Sequence, residues 1–160
     1  MVIALGSSLA GAHASREALL EDALSRFDGL GLRVIARSAW WRSAAWPDPS
    51  GPDYRNGVVL VETGLTPAET LATLHGIERD FGRLRGEVNA PRTLDLDLIA
   101  FGRRTLEGPG LQLPHPRAHT RLFVMGPLAQ IAPDWRHPVS CETARALAQA
   151  AIVGADARQI

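Results

Sequence analysis

Two segments with helical spacing lie among four short strand-like runs, and their order leaves few ways for the chain to fold. "MVIALGSS" (1–8) is an apolar run stopped by glycine and serines, which predicts a buried first strand. From Ser15 onward, Leu19, Leu20, Ala23, Leu24 and Phe27 recur at helical intervals, with Glu17, Glu21, Asp22 and Arg26 between them. That pattern predicts an amphipathic helix ending near Gly29 and Gly31. "LRVIARSAWWRS" (32–43) and "NGVVLVET" (56–63) give a second and a third strand. In "TPAET", Thr66 can cap a helix, Pro67 suits its first position and Glu69 can close a capping box. The helix so started runs through Leu71, Leu74, His75 and Ile77 to about Phe81. A fourth strand lies within "APRTLDLDLIAFG" (90–102).

The resulting order, β-α-β-β-α-β, predicts a ferredoxin-like core of class α+β, an antiparallel sheet with helices on one face. "LFVMGPLAQIA" (122–132) and a last helix from about Glu142 add a C-terminal helical extension. A chain of 160 residues with this pattern is expected to be a single domain, 1–160. Such a fold is shared by many activities, so function has to be argued from particular residues.

The fourth strand carries the first of these. Asp95 and Asp97 interrupt an apolar run two residues apart, so they share one side of the strand while Leu94, Leu96 and Leu98 face the other. Two adjacent carboxylates repel unless positive charge lies between them. Mg²⁺ is bound through one or two carboxylates together with substrate phosphates, and paired carboxylates can serve two such ions in phosphoryl chemistry. The same D-x-D pattern also serves nucleases and glycosyltransferases.

Seventeen basic residues balance seventeen acidic ones, and every one of the seventeen is arginine. A net charge of zero provides no global field for nucleic acid or an anionic membrane. Any phosphate held by a charged side chain must therefore be held by guanidinium forks. Arg83, Arg85 and Arg92 precede or open the aspartate strand, and Arg117 and Arg121 follow it. His115, between two prolines, has a stiff backbone and an aimed ring that can donate to a phosphate oxygen. Tyr54, Asn56 and Phe123, with Trp46 in the Pro/Gly-rich loop at 44–54, suit a flat heterocycle, by stacking and by amide hydrogen bonds to its edge. The lone Cys141, the absence of a signal-like N-terminus and the lack of a membrane-length apolar run lead to the expectation of a cytoplasmic protein.

Taken together, these stretches resemble the 6-hydroxymethyl-7,8-dihydropterin pyrophosphokinase family. The likeness runs through "IALGSSL", "PDYRNGVVLVET", "IERDFGRLR", "PRTLDLDLIAFG" and "LPHPRAHTRLFVMGPLAQIAPDW", in that order along nearly the whole chain. The resemblance implies transfer of the β,γ-pyrophosphoryl unit of ATP to the pterin hydroxymethyl oxygen, with release of AMP. It implies two Mg²⁺ ions held by Asp95 and Asp97, and phosphate-gripping roles for Arg83 and Arg92. It places Ser43, Ala44, Trp46, Tyr54, Asn56 and Phe123 around the pterin. His75, Glu78, Arg85, Arg92, His115 and Arg121 fall on the nucleotide side, and Asp97 is a candidate to take the hydroxyl proton. The expected partners are these two small molecules alone, with no nucleic acid and no membrane, and the expected state is a monomer.

The chain departs from the family pattern at Ser8, where asparagine is usual, and at Thr120 and Gln130, where acidic residues are common. It also lacks a tryptophan around Val88 and Asn89. A slow or divergent paralogue is one alternative these departures leave open. A non-catalytic RNA-binding module is another, although the chain lacks the basic surface and aromatic run such modules carry. A metal-dependent nuclease would need further carboxylates near Asp95 and Asp97.

Overall fold

The computed structural model describes residues 1–82 and 93–160. In chain order its elements are β1 (Val2–Ser7), α1 (Arg16–Ser25), β2 (Arg33–Arg37), β3 (Trp41–Ser43), β4 (Tyr54–Glu62) and α2 (Pro67–Asp80). They continue with β5 (Asp95–Ala100), β6 (Leu106–Gly108), β7 (Leu111–Leu113), α3 (Leu122–Ile131), α4 (Ala144–Ala150) and β8 (Arg158–Gln159).

Local chemistry fixes the helix starts where the sequence predicts them. The Ser15 hydroxyl accepts from the Ala18 amide at 3.0 Å and caps α1. Thr66 and Glu69 form the reciprocal capping box of α2: the Thr66 hydroxyl accepts from the Glu69 amide at 3.3 Å, and Glu69 Oε2 accepts from the Thr66 amide at 2.8 Å. After α1 the chain turns through Gly31, whose φ of 77° lies in the region glycine enters without penalty.

Among the described residues the main sheet runs β5-β1-β4-β3-β8, with β2 also paired to β4, and each of these pairings is antiparallel. This is the α+β arrangement the β-α-β-β-α-β order predicts, with its second strand in two pieces. The register of that strand against β4 shifts between Val34 and Ala36. It shifts again further on: Arg37 opposes Val59 and Trp41 opposes Asn56, so four steps on one strand span three on the other. Each extra residue bends the strand, as bulges do. The second one lays Trp40 across Gly57, where a Cβ would come within 2.5 Å of the indole.

The sheet is covered on both faces, not on one as the sequence pattern predicts. Ile3, Leu5, Val59, Val61, Leu96 and Leu98 face α1 and α2, packing with Leu19, Leu20, Phe27, Leu74 and Ile77. Val2, Ala4, Val58 and Ile99 face the opposite way and pack with Val124, Met125 and Leu128 of α3 and Leu147 of α4. With cover on both sides, all six residues of β1 are buried. The extension is therefore the second layer of the core, and it roofs the side of the sheet on which Asp95 and Asp97 lie.

A methyl group at Gly57 must displace the Trp40 ring. Gly57→Ala is expected to cost about 1–3 kcal/mol, the usual range for overpacking. Urea unfolding followed by tryptophan fluorescence measures it, and an unchanged midpoint would show that the ring can move freely.

Candidate active site

Three adjacent strands build the site by register. On the central strand, Gly6 lies opposite Asp95 on one side and Asn56 on the other, while Ala4 lies opposite Asp97 and Val58. Residues directly opposite one another share a face of the sheet. Two carboxylates on β5 and two polar side chains on β4 are thus separated by a strip of β1 that carries almost no side chain. A Cβ at Gly6 would lie 3.6 Å from Asn56 Oδ1, 3.8 Å from Asp95 Cβ and 3.9 Å from Tyr54 Cδ1. Gly6 and Ala4 are the floor of a trough.

The trough is a cavity of about 320 Å³. Ser43, Ala44, Trp46, Tyr54 and Asn56 line it together with Asp95, Asp97, His115, Arg117, Arg121 and Phe123. Asn56 is buried and its Nδ2 donates to Ser43 Oγ at 3.0 Å, which orients the amide with Oδ1 toward the floor. A second hollow, of about 380 Å³, lies between α2 and the β6–β7 hairpin, and the sequence pattern did not predict that hairpin. His75, Leu71, Leu111 and Gln112 line it, and it shares Asp97 and His115 with the first. The site is therefore two compartments that meet at one carboxylate and one imidazole.

The cavity sets two guanidinium groups, Arg117 and Arg121, beside its two carboxylates. Burial and the neighbouring Arg117 pull the Arg121 guanidinium below its ordinary value, with Asp97 and Asp95 opposing them. Its guanidinium also lies 5.6 Å from the centre of the Phe123 ring, a stacking arginine favours over lysine. His115 is pushed from 6.5 down to about 4, chiefly by burial, then by Arg121 and Arg117. Its ring is neutral at physiological pH. Nδ1 accepts from the Arg117 amide at 3.2 Å, so the proton sits on Nε2, which is left as a donor. The His115 amide donates to the Ile99 carbonyl at 2.8 Å, fixing the "PHP" segment to the aspartate strand.

Glu78 lies buried beneath β5. Its Oε1 accepts from the Leu96 amide, between the two aspartates, at 2.7 Å. A buried carboxylate requires such partners, and here it locks the strand that presents Asp95 and Asp97. Arg83, Arg85 and Arg92, and the stretch around Val88 and Asn89, lie outside the described residues. Gly6 and Ala4 escaped the sequence reading, and Arg117 appeared there only as one arginine among five. Their signal was the alternation of β1, which puts both small residues on one face, and it becomes legible only once β1 is known to lie between β4 and β5.

The donor set of Asp95 and Asp97 fits Mg²⁺. Both are hard oxygen donors on one strand face at the edge of a cavity that carries guanidinium groups for phosphate. Among the described residues no group of three or more His, Cys, Asp or Glu could form an all-protein cage.

The architecture is an antiparallel α+β sheet with two adjoining hollows, one walled by aromatic and amide side chains and both reaching Asp97 and His115. The sequence model of the 7,8-dihydro-6-hydroxymethylpterin-pyrophosphokinase family matches residues 2–133, and the chain belongs to that family. It is 51% identical over 113 residues to the 2-amino-4-hydroxy-6-hydroxymethyldihydropteridine pyrophosphokinase of Synechocystis, covering 71% of this chain and 57% of that protein. It is 40% identical over 136 residues to the Pseudomonas aeruginosa protein of the same name, covering 85% and 82%. In fold it is similar to the crystal structure of Plasmodium falciparum HPPK-DHPS with pteroate, at a TM-score of 0.71 and 14% identity. That match covers 92% of this chain and 41% of the other. Among the described residues no helix is long and apolar enough to cross a membrane.

The depressed value of His115 links the site to stability. The unfolded chain takes up the imidazole proton near 6.5 and the folded chain only near 4. The stabilisation is complete above 6.5 and is lost as the pH falls toward 4. Urea unfolding of the wild type across that window should show a pH dependence steeper by up to about one proton than that of His115→Gln. His137, also held low chiefly by burial, contributes equally to both proteins. Identical slopes would place His115 in solvent.

Proposed function

We propose that this chain transfers the pyrophosphoryl group of ATP to the hydroxymethyl group of 6-hydroxymethyl-7,8-dihydropterin, giving AMP and the pterin diphosphate, a step of folate biosynthesis. The observation that carries the reading is the meeting of the two hollows at Asp97 and His115. A transfer between two bound molecules needs adjoining compartments with the charged groups at their junction. Membership of the pyrophosphokinase family supports the same reading.

In this reading the compartment of Tyr54, Asn56, Phe123 and Trp46 takes the pterin, with Asn56 on the edge of the ring system and the aromatics on its faces. The compartment beside His75 takes the nucleotide, its triphosphate directed toward Asp95, Asp97 and His115. The pterin hydroxyl oxygen gives up its proton, with Asp97 the candidate acceptor, and forms a bond to the β-phosphorus; the bond from that phosphorus to the oxygen bridging to the α-phosphorus breaks, and its electron pair leaves with AMP. Such chemistry asks the protein for alignment and charge neutralisation more than for a nucleophile. Asp95 and Asp97 would hold Mg²⁺, which when bound would neutralise phosphate charge. His115 donates from Nε2 to a phosphate oxygen, and Arg121 and Arg117 add fixed positive charge beside it. By resemblance Arg83 and Arg92 grip the same phosphates, with Arg85 nearby.

The test is AMP formation from ATP, with Mg²⁺ and the pterin each present or omitted. AMP is expected only when both are supplied, and AMP production that ignores the pterin would refute the assignment. Asp95→Asn and Asp97→Asn each remove a charge worth several kcal/mol in the transition state, so turnover should fall roughly 10³-fold or more. Near-normal turnover in either variant would contradict the metal role. Asn56→Ala should raise KM for the pterin about tenfold, the worth of a lost buried hydrogen bond, and leave KM for ATP unchanged. A matching rise for ATP would put Asn56 outside the pterin compartment.

A further inference from the structure

The C-terminal stretch, beyond the residues that match the family's sequence model, reaches back to both walls of the flat-ligand compartment. On one wall, β8 pairs with β3, Trp41 opposite Gln159 and Arg42 opposite Arg158, and the Ile160 amide donates to the Trp40 carbonyl at 3.1 Å. Just past β3, the Ala44 amide donates to Asp156 Oδ2 at 2.6 Å. That amide opens the loop carrying Trp46, and Ala44 itself lines the cavity. The far end of the loop is tied separately, by Arg42 Nε to Asp53 Oδ2 at 2.6 Å. On the other wall, the Leu122 amide donates to the Val153 carbonyl at 2.9 Å, and the Val153 amide to the Thr120 carbonyl at 3.0 Å. Gly154, at φ 69°, lies so close to the Phe123 ring that a Cβ would come within 2.5 Å of it.

We infer that residues 152–160 are a strap that sets the width of the flat-ligand slot, and that Asp156 is a positioning residue acting through the Ala44 amide. A carboxylate accepting from a backbone amide makes a short, strong hydrogen bond. It is the one described side-chain hydrogen bond to the first residue of the loop. Without it, the near end of the loop at Ala44 is left to the strand pairing that ends at Ser43, and the Arg42–Asp53 pair holds only the far end. Asp156 touches neither reacting group, so its loss should be felt in how tightly the flat ring is held and not in the phosphoryl step. The inference rests on the pyrophosphokinase reading for the identity of the ring, but the strap itself does not depend on it.

The experiment has two arms on the full chain. Amide hydrogen exchange reads the strap directly: in Asp156→Ala the Ala44 amide should exchange at least about tenfold faster than in the wild type. Steady-state kinetics reads the slot: KM for 6-hydroxymethyl-7,8-dihydropterin should rise roughly tenfold, while KM for ATP and kcat stay within about twofold. Asp156→Asn keeps an acceptor oxygen and should restore both; a loss equal to that of the alanine variant overturns the hydrogen-bonding role. Unchanged exchange at Ala44 overturns the strap. Faster exchange with an unaltered pterin KM overturns its role in the slot. Absence of AMP from the wild type defeats the pyrophosphokinase reading alone, and the exchange arm still decides whether Asp156 holds Ala44.

Discussion

The pairing of β5 with β1, Asp95 opposite Gly6 and Asp97 opposite Ala4, is the constraint on which the rest of the molecule depends. A slip of one residue would turn every side chain of β5 to the other face. It would drive both carboxylates among Leu19, Leu20 and Leu74 and lift Leu96 and Leu98 into the cleft. Burying two unpaired charges is far costlier than the gain of any alternative pairing, so the apolar half of "LDLDLIAF" specifies where its charged half must lie. Glu78 adds a second lock from the opposite side by holding the Leu96 amide. A carboxylate on the apolar face thus fixes the strand whose polar face carries the other two.

The same economy of side chains explains how the site stays open. The helices α3 and α4 cover the second face of the sheet with Val124, Met125, Leu128 and Leu147, yet the cover stops where β1 offers only Ala4 and Gly6. Larger residues there would have continued the core up to the aspartates. Instead the sheet ends in a trough with carboxylates on one bank, an amide and a phenol on the other, and a roof edge of His115, Arg121 and Phe123. The arginines near the carboxylates do not annul them. The junction thus carries guanidinium groups and a neutral imidazole beside its carboxylates.

Much of the scaffold was legible in the sequence because it is written in local chemistry. The capping box at Thr66 and Glu69 and the apolar spacing of both helices need no tertiary context, and both occur where expected. The order of elements was enough for an antiparallel α+β sheet, and the alternation in "LDLDL" placed Asp95 and Asp97 together on one face. What stayed hidden was long-range. The placement of the two C-terminal helices on the second face, the hairpin beside His75 and the strand β8 depend on contacts between residues far apart in the chain. So does the contact of Glu78 with a backbone amide 18 residues on. A polar residue inside a motif can be there to hold the motif's other members, and sequence spacing does not reveal that role.

The divided second strand shows why the distant end of the chain becomes part of the site. Had residues 33–43 formed one regular strand, its outer edge would have run straight, and the loop after Ser43 would have left along the line of β4. The two register shifts bend it, so that β2 keeps an exposed edge while β3 turns toward α3. There the Trp41 ring packs against Gly126, where a Cβ would come within 2.6 Å, and Gln130 Oε1 accepts from the Ala39 amide at 3.1 Å. A three-residue strand has too few ladder bonds to hold a loop by itself. Its free edge is also a place where another chain could pair. β8 meets both needs at once, covering the edge and bringing Asp156 within reach of Ala44. The bend that accommodates Trp40 and Trp41 therefore creates the opening that the C-terminal strand fills.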